Sequence, residues 1–408
     1  MNYLLLLLSA TSFPLLAHAS VCNVERTSIF SQVLIDHPGT GIGASRGQPL
    51  LLSDGSMLQP IGPTDSDVVK GPGYLLIAPH GKTSRMIPFD PAIMNDYGPI
   101  QLKSGEIAIG TLTGEIYLID LSGKALKKLL VAKDEAINSI VQLKDGSLLA
   151  TGRNTATIYH ISQPTSEKES LVTPFYSKKE ITENFVAPKE LADGHIVLLG
   201  AITDEIGVDI LNSDGSLYVN IPELYFDATL DQPATEFPGV VAISGRHYIP
   251  GEPKMQNSIA YVDLVTKQIK YVDYGYGTYG GGMLFIKKMN LTDYLIGNFI
   301  DDYESLMFFH NDQKVWENKV LNPSNDLAMM PETLSDSTIV QTANGRAEFY
   351  SGLGGLKSTF DFNSDLDPFT HTVQGPMNPL VVTADDTVIV PQWFYQGIRF
   401  SYLKLHCE

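Results

Sequence analysis

The chain is poor in cysteine, with only Cys22 and Cys407 among 408 residues. That excludes a disulfide-dense scaffold and any zinc site built on Cys-x-x-Cys pairs. Tryptophan is equally scarce, at two residues, Trp316 and Trp393. Basic residues are outnumbered, 28 Lys and Arg against 46 Asp and Glu, which leaves a net charge of −18. A surface of that sign repels phosphate backbones, so nucleic acid is not an expected partner. Several catalytic motifs are missing as well. There is no Gly-x-x-x-x-Gly-Lys-(Ser/Thr) loop, no His-Glu-x-x-His and no Gly-x-Ser-x-Gly elbow. Gly280-Gly281-Gly282 lacks the strand-to-helix setting of a dinucleotide loop. Helical periodicity is nearly lacking; only residues 178–192 read as mildly helical, and Pro188 interrupts them.

Long apolar runs are confined to the amino end. Leu4 to Leu8, then Phe13 to Leu16, precede the small-x-small triplet Ala17-His18-Ala19. This reads as a secretory signal peptide, residues 1–19, cut after Ala19. No Lys or Arg precedes the run, so the α-amino group must supply the positive charge. The run falls short of the roughly 20 apolar residues that cross a bilayer. Cys22 is not expected to carry lipid, because Val21 is too large for the small residue that such attachment requires. Residues 20–408 are therefore expected to form one exported domain, periplasmic or extracellular, with no stable membrane insertion.

One phrase recurs through that domain. Its clearest copies are Pro99-Ile-Gln-Leu-Lys-Ser-Gly105, Ile140-Val-Gln-Leu-Lys-Asp-Gly146 and Pro188-Lys-Glu-Leu-Ala-Asp-Gly194, each followed by an apolar strand, a break and a second strand. An earlier copy centres on Gly55, and degenerate copies centre near residues 244, 292, 336 and 386. Asp-Gly or Ser-Gly between apolar runs supplies a tight hairpin turn, and the Val, Ile, Leu and Tyr runs are strands. One such unit cannot bury its own faces, so copies must stack.

The pattern resembles the quinoprotein-like and Trp-Asp-repeat-like β-propellers, in strand-turn period rather than in catalytic motifs. The resemblance covers nearly the whole domain and implies an all-β, closed β-propeller of eight four-stranded blades, with seven as the alternative. The Trp-Asp signature and the recurrent Trp of the quinoproteins are missing, so no family within the superfamily is singled out. Paired β-sandwiches leave even spacing unexplained, and a β-helix wants shorter rungs. In a closed ring the final strand, Ile398 to Cys407, needs an outer partner. The segment from Val21 to Leu34 is expected to complete the last blade. That would bring Cys22 and Cys407 within disulfide reach, closing a loop worth roughly 5 kcal/mol.

Candidate sites are few. Asp361, Asn363, Asp365 and Asp367 place oxygen ligands at alternate positions, like the first half of a calcium loop. Leu366 stands where that loop has glycine, and an acidic solvated loop is the plainer reading. Calcium is the one cofactor considered. Tyr274, Tyr276 and Tyr279 lie on a glycine-rich stretch, and Trp393, Tyr395 and Arg399 form a second aromatic group. Both sets suit contact with a sugar or peptide, or else packing between blades. His195 and His247 fall at similar places in their phrases, where blade edges are expected, although a funnel of histidines would hold a metal. Asp301, Asp302 and Glu304 read as an acidic loop, and Asn290-Leu291-Thr292 as a glycosylation sequon at a turn.

Function rests on loops rather than on fold. The first expectation is a non-enzymatic, monomeric binding scaffold for a protein or glycan. The alternatives are a metal-dependent hydrolase or lyase in the central funnel, and an envelope assembly factor.

Overall fold

The computed structural model describes residues 22–33, 49–61, 73–90, 98–152, 157–162, 170–177, 185–200, 208–222, 224–225, 234–248, 256–276, 284–300, 303–321, 331–343, 345–362, 380–394 and 397–408. Residues 1–19 lie outside them, as does Val21. The described strands form eight antiparallel sheets, one per repeat, the blades of a closed propeller. Strands are lettered a to d from the axis outward.

Blade 1 is Leu50–Leu51, Met57–Ile61, Gly73–Ile77 and Ser84–Pro88; blade 2 is Ile100–Gln101, Ile107–Gly110, Glu115–Ile119 and Ala125–Leu130. Blade 3 is Ile137–Gln142, Leu148–Gly152, Thr157–Ile161 and Val172–Ser177; blade 4 is Phe185–Glu190, Ile196–Gly200, Val208–Leu211 and Leu217–Ile221. Blade 5 has strand a in two pieces, Leu224–Tyr225 and Ala234–Phe237, then Val240–His247, Gln256–Asp263 and Ile269–Tyr276. Blade 6 is Leu284–Lys288, Asp293–Ile300, Tyr303–His310 and Gln313–Leu321; blade 7 is Glu332–Thr333, Ile339–Ala343, Arg346–Tyr350 and Leu356–Asp361. Blade 8 is Val381–Val382, Val388–Phe394 and Gly397–Cys407, completed by the amino-terminal strand Cys22–Val33.

The strands are where the Val, Ile and Leu runs are because sheet faces must be covered on both sides. Their side chains form apolar clusters that each bridge neighbouring blades. Leu58, Tyr74, Ile107 and Ile119 join blades 1 and 2; Leu149, Ile158, Ile196 and Leu211 join blades 3 and 4. The ring closes where Phe30, Ile389, Phe400 and Tyr402 of blade 8 meet Met57, Leu75 and Ile77 of blade 1.

The a–b turns repeat one geometry. In blade 3 the Leu143 N–H donates to Ser147 O at 2.8 Å, and Gly146 N–H to Leu143 O at 3.0 Å. Gly146 has φ +89°, which side chains with a Cβ disfavour. Asp145 Oδ1 holds the turn by accepting from the Ser147 N–H at 2.9 Å and its hydroxyl at 2.6 Å. Blades 7 and 8 keep the geometry without glycine: Ser337 takes φ 65° and Asp386 φ 61°. That is why these copies are degenerate in sequence yet regular in structure.

In blades 1 to 4 and in blade 7 a side chain latches the a–b turn to the next blade. Gln101 Oε1 accepts from Ser53 N–H at 2.8 Å, Gln142 Oε1 from Lys103 N–H at 2.8 Å, and Glu190 Oε2 from Lys144 N–H at 2.7 Å. Both Glu236 oxygens accept from Ala192 N–H at 2.9 Å, and Asp386 accepts from Ser335 N–H at 2.8 Å. Leu51 occupies the corresponding place in blade 1 and offers no acceptor. There the closure uses other contacts. Ser28 Oγ donates to His80 O at 2.9 Å, and Gly81 packs so tightly on Phe30 and Tyr402 that a Cβ would meet them at 2.8 and 2.9 Å.

Two readings of the sequence need correction. The turn of blade 5 lies at Pro238-Gly239, not near 244; Ser244 and Gly245 are inside strand b. Proline at the second turn position and Gly239 at φ 72° satisfy a type II turn, which outweighs the Ser-Gly signal. The mildly helical stretch is strand a of blade 4 over Phe185–Glu190, with a register shift between Val186 and Lys189 accommodating Pro188. The rest of that stretch lies outside the described residues.

The expected closure is observed. Cys22–Val33 runs antiparallel to Gly397–Cys407 in continuous register from Cys22 opposite Cys407 to Val33 opposite Gly397, broken by one shift near Arg26. Cys22 and Cys407 form a disulfide with Cα atoms 4.1 Å apart. Among the described residues no helix is long and apolar enough to cross a membrane.

Candidate functional site: an aromatic cavity between blades 5 and 6

A cavity of about 610 Å³ opens between blades 5 and 6. Blade 5 contributes Phe237, Pro238 and Val240 around its a–b turn, Tyr261 from strand c, and Lys270, Val272 and Tyr274 from strand d. The last three alternate along the strand and so share one face. Blade 6 contributes Leu291 and Thr292 from its a–b turn, Tyr294 and Phe309 from strands b and c, and Asn311 and Asp312 from the c–d turn.

Local rules fix each of these groups. Tyr294 and Phe309 are directly opposite in the strand register, and their rings stack at 4.9 Å with planes 3° apart. Phe237 meets Tyr294 edge-on at 5.4 Å. Asn311 and Asp312 form the two-residue hairpin loop between His310 and Gln313, both at positive φ, 49° and 60°, as a type I′ turn requires. The Asn311 amide nitrogen lies 2.8 Å from His310 Nε2.

Three phenols, those of Tyr261, Tyr274 and Tyr294, line the cavity, and the Tyr294 hydroxyl donates to Asp312 Oδ1 at 3.2 Å. Burial pushes all three phenols above their ordinary value, so they stay neutral across the physiological range. The cavity thus joins flat apolar rings to hydroxyls, one amide, one carboxylate and one amine. It holds no Ser–His or Cys–His pair. Among the described residues no three His, Cys, Asp or Glu side chains gather as a metal set.

Of the residues singled out in sequence, Tyr274 lies in this cavity. Tyr276 ends the same strand, with its side chain outside the described residues, and Tyr279 lies outside them altogether. Trp393 and Arg399 are on strands b and c of blade 8, two blades beyond blade 6; the Trp393 side chain and Tyr395 are outside the described residues. Asp361 ends strand d of blade 7, exposed, with Arg346 Nε donating to its Oδ2 at 3.3 Å. Asn363, Asp365 and Asp367 lie outside the described residues, as do Asp301 and Asp302; Glu304 is on strand c of blade 6.

His195 and His247 do not occupy equivalent places. His195 precedes strand b of blade 4, 2.8 Å from Asp193, whereas His247 ends strand b of blade 5, stacked on Tyr271 at 4.0 Å. The displaced turn of blade 5 is the reason. Asn290-Leu291-Thr292 is the a–b turn of blade 6, closed by Asn290 Oδ1 accepting from the Thr292 N–H at 2.9 Å.

Sequence reasoning missed Phe237, Tyr261, Tyr294, Phe309 and Asp312. The signal was there in Asn311-Asp312, a hairpin dipeptide between two apolar runs, which sets the register that stacks Tyr294 on Phe309.

No protein-family model matches the chain, and no curated protein matches it. Solved structures do. The chain is similar to BamB from Moraxella catarrhalis at 13% identity and TM-score 0.56, over 93% of this chain and 99% of that one. It is similar to the Dos1 propeller at 10% identity and TM-score 0.60, over 91% and 96%. A third likeness is to the dihydro-heme d1 dehydrogenase NirN in complex with DHE, at 12% identity and TM-score 0.53, over 94% and 78%. At these identities the likeness shows the fold alone.

Proposed function

We propose that this propeller is an exported binding module that engages its ligand in the cavity between blades 5 and 6 without turning it over. One observation carries the reading: five aromatic rings, three of them neutral phenols, converge on a cavity of about 610 Å³ that holds no nucleophile–base pair. A pocket of that size with apolar walls and a few placed polar groups is what recognition of a small chemical group requires. Export is supported by the disulfide, which oxidising compartments maintain, and by the apolar leader with its small-x-small triplet.

The test is direct. Ring signals of isotopically labelled Tyr261, Tyr274 and Tyr294 are followed by NMR while small probes are added. The probes are methyl pyranosides on one side and N-acetyl amides of tyrosine and tryptophan on the other. Saturable shifts confined to these three rings are expected with at least one class. If no probe of either class moves them, the cavity is packing space and the reading fails. Fractionation of cells making the full chain checks export: an oxidised product outside the cytoplasm is expected, and a reduced cytoplasmic one counts against it.

A further inference from the structure

We infer that the ligand group received between blades 5 and 6 is a carbohydrate ring; this rests on the binding reading above and narrows it. Asp312 lies in the cavity wall. Its carboxylate accepts hydrogen bonds and does not donate them, so the 3.2 Å contact is a donation from the Tyr294 hydroxyl. With its single proton committed, the Tyr294 oxygen offers only acceptor capacity to a ligand.

Asp312 Oδ2 and the carbonyl oxygen of Asn311 add acceptors at the same wall, and one Asn311 amide N–H is engaged by His310 at 2.8 Å. The cavity thus sets acceptors beside ring faces, with Lys270, the second Asn311 N–H and the Tyr261 and Tyr274 hydroxyls as donors among them. A matching ligand brings several O–H donors and a flat C–H surface in one small body. A pyranose does both: its axial C–H face lies on an aromatic ring while adjacent hydroxyls donate to carboxylate, amide and phenol oxygens.

Other classes fit less well. An acyl chain would leave the phenol and carboxylate oxygens buried and unpaired. A phosphate or carboxylate would face Asp312 with Lys270 as the one cation in the wall. An aromatic peptide side chain fills the ring surface but brings at most one O–H to a wall of acceptors.

The experiment uses the oxidised full chain and the tyrosine-ring readout already named. Methyl α- and β-pyranosides of glucose, galactose, mannose and N-acetylglucosamine are titrated against the wild type, Tyr274→Phe and Asp312→Asn. Both variants keep ring or side-chain volume, and asparagine tolerates the left-handed backbone at 312, so unchanged thermal midpoints are expected. The inference expects at least one pyranoside to shift the rings saturably, and expects each variant to weaken that binding at least tenfold. Shifts from the N-acetyl aromatic amides alone overturn the carbohydrate assignment and leave the binding reading standing. Shifts from a pyranoside that both variants leave unchanged also overturn it. Silence from every probe removes both.

Discussion

Seven tyrosines sit where burial raises their phenols above the ordinary value of 10.0: Tyr74, Tyr176, Tyr261, Tyr274, Tyr294, Tyr350 and Tyr402. For Tyr176 and Tyr350 a neighbouring carboxylate, Asp209 and Glu348, adds to the effect. The folded chain therefore holds protons that the unfolded chain releases above pH 10, so the stabilisation is whole below that pH and fades as pH rises beyond it. Absorbance near 295 nm should show the exposed tyrosines ionising around their usual value and the buried ones later, together with loss of β-sheet circular dichroism. Ionisation of all 19 tyrosines in one phase near pH 10 with the fold intact would contradict this. At the acid end the Thr383 hydroxyl, with Thr387 and Lys404, holds the Asp385 carboxyl down at about 2. That contribution is present above the usual 3.8 and is lost as pH falls towards 2. Ser337 gives a second residue-scale expectation. It occupies the left-handed conformation that glycine holds in blades 1 to 4, so Ser337→Gly should stabilise the chain by about 0.5–1 kcal/mol in denaturant unfolding. A lower midpoint would mean that the Ser337 side chain has a role the turn geometry does not reveal.

At the scale of the elements, the blades were legible because turn chemistry repeats. Leu-Lys-Asp-Gly146 and Leu-Ala-Asp-Gly194 state a hairpin whatever surrounds them. Blade 5 was misplaced because its turn is Pro238-Gly239 and its inner strand is split, so its phrase lacks the common spacing. Three of the latches were printed in the same phrases, as Gln101, Gln142 and Glu190 just before the turn leucine. Nothing in one blade reveals a hydrogen bond to the previous one, so pattern alone left them unread. The cavity was half legible for the same reason: Tyr274 stood out in a tyrosine-rich run, while Tyr261, Tyr294 and Asp312 join it only once two sheets face each other. Glu190→Ala should cost about 1 kcal/mol, since water replaces part of the bond to the exposed Lys144 amide, and Glu190→Gln should recover most of it. The loss should add to that of Gln101→Ala, two blades away. Strong coupling between the two would mean that the turns move as one unit.

For the whole molecule, the decisive feature is that one blade is assembled from both ends of the chain. Replacing Cys22 and Cys407 by serine should lower unfolding stability by about 2–5 kcal/mol while the circular dichroism of the sheets persists, because the strand register from Cys22 to Val33 remains. Collapse of the fold in that variant would show that strand pairing alone does not hold the ring. The closure was foreseeable, since a terminal strand without an outer neighbour and two cysteines at the chain ends answer each other. The same feature governs how the protein can be made. A ribosome delivers the amino end first, yet Cys22–Val33 has its hydrogen-bonding partner only after Gly397–Cys407 has been synthesised. Until then the leading strand waits as a bare edge, open to pairing with a stranger. A strand made late thus finishes the one made early, and losing a few residues of Gly397–Cys407 to a premature stop or a protease should injure this chain far more than an equal loss from any hairpin.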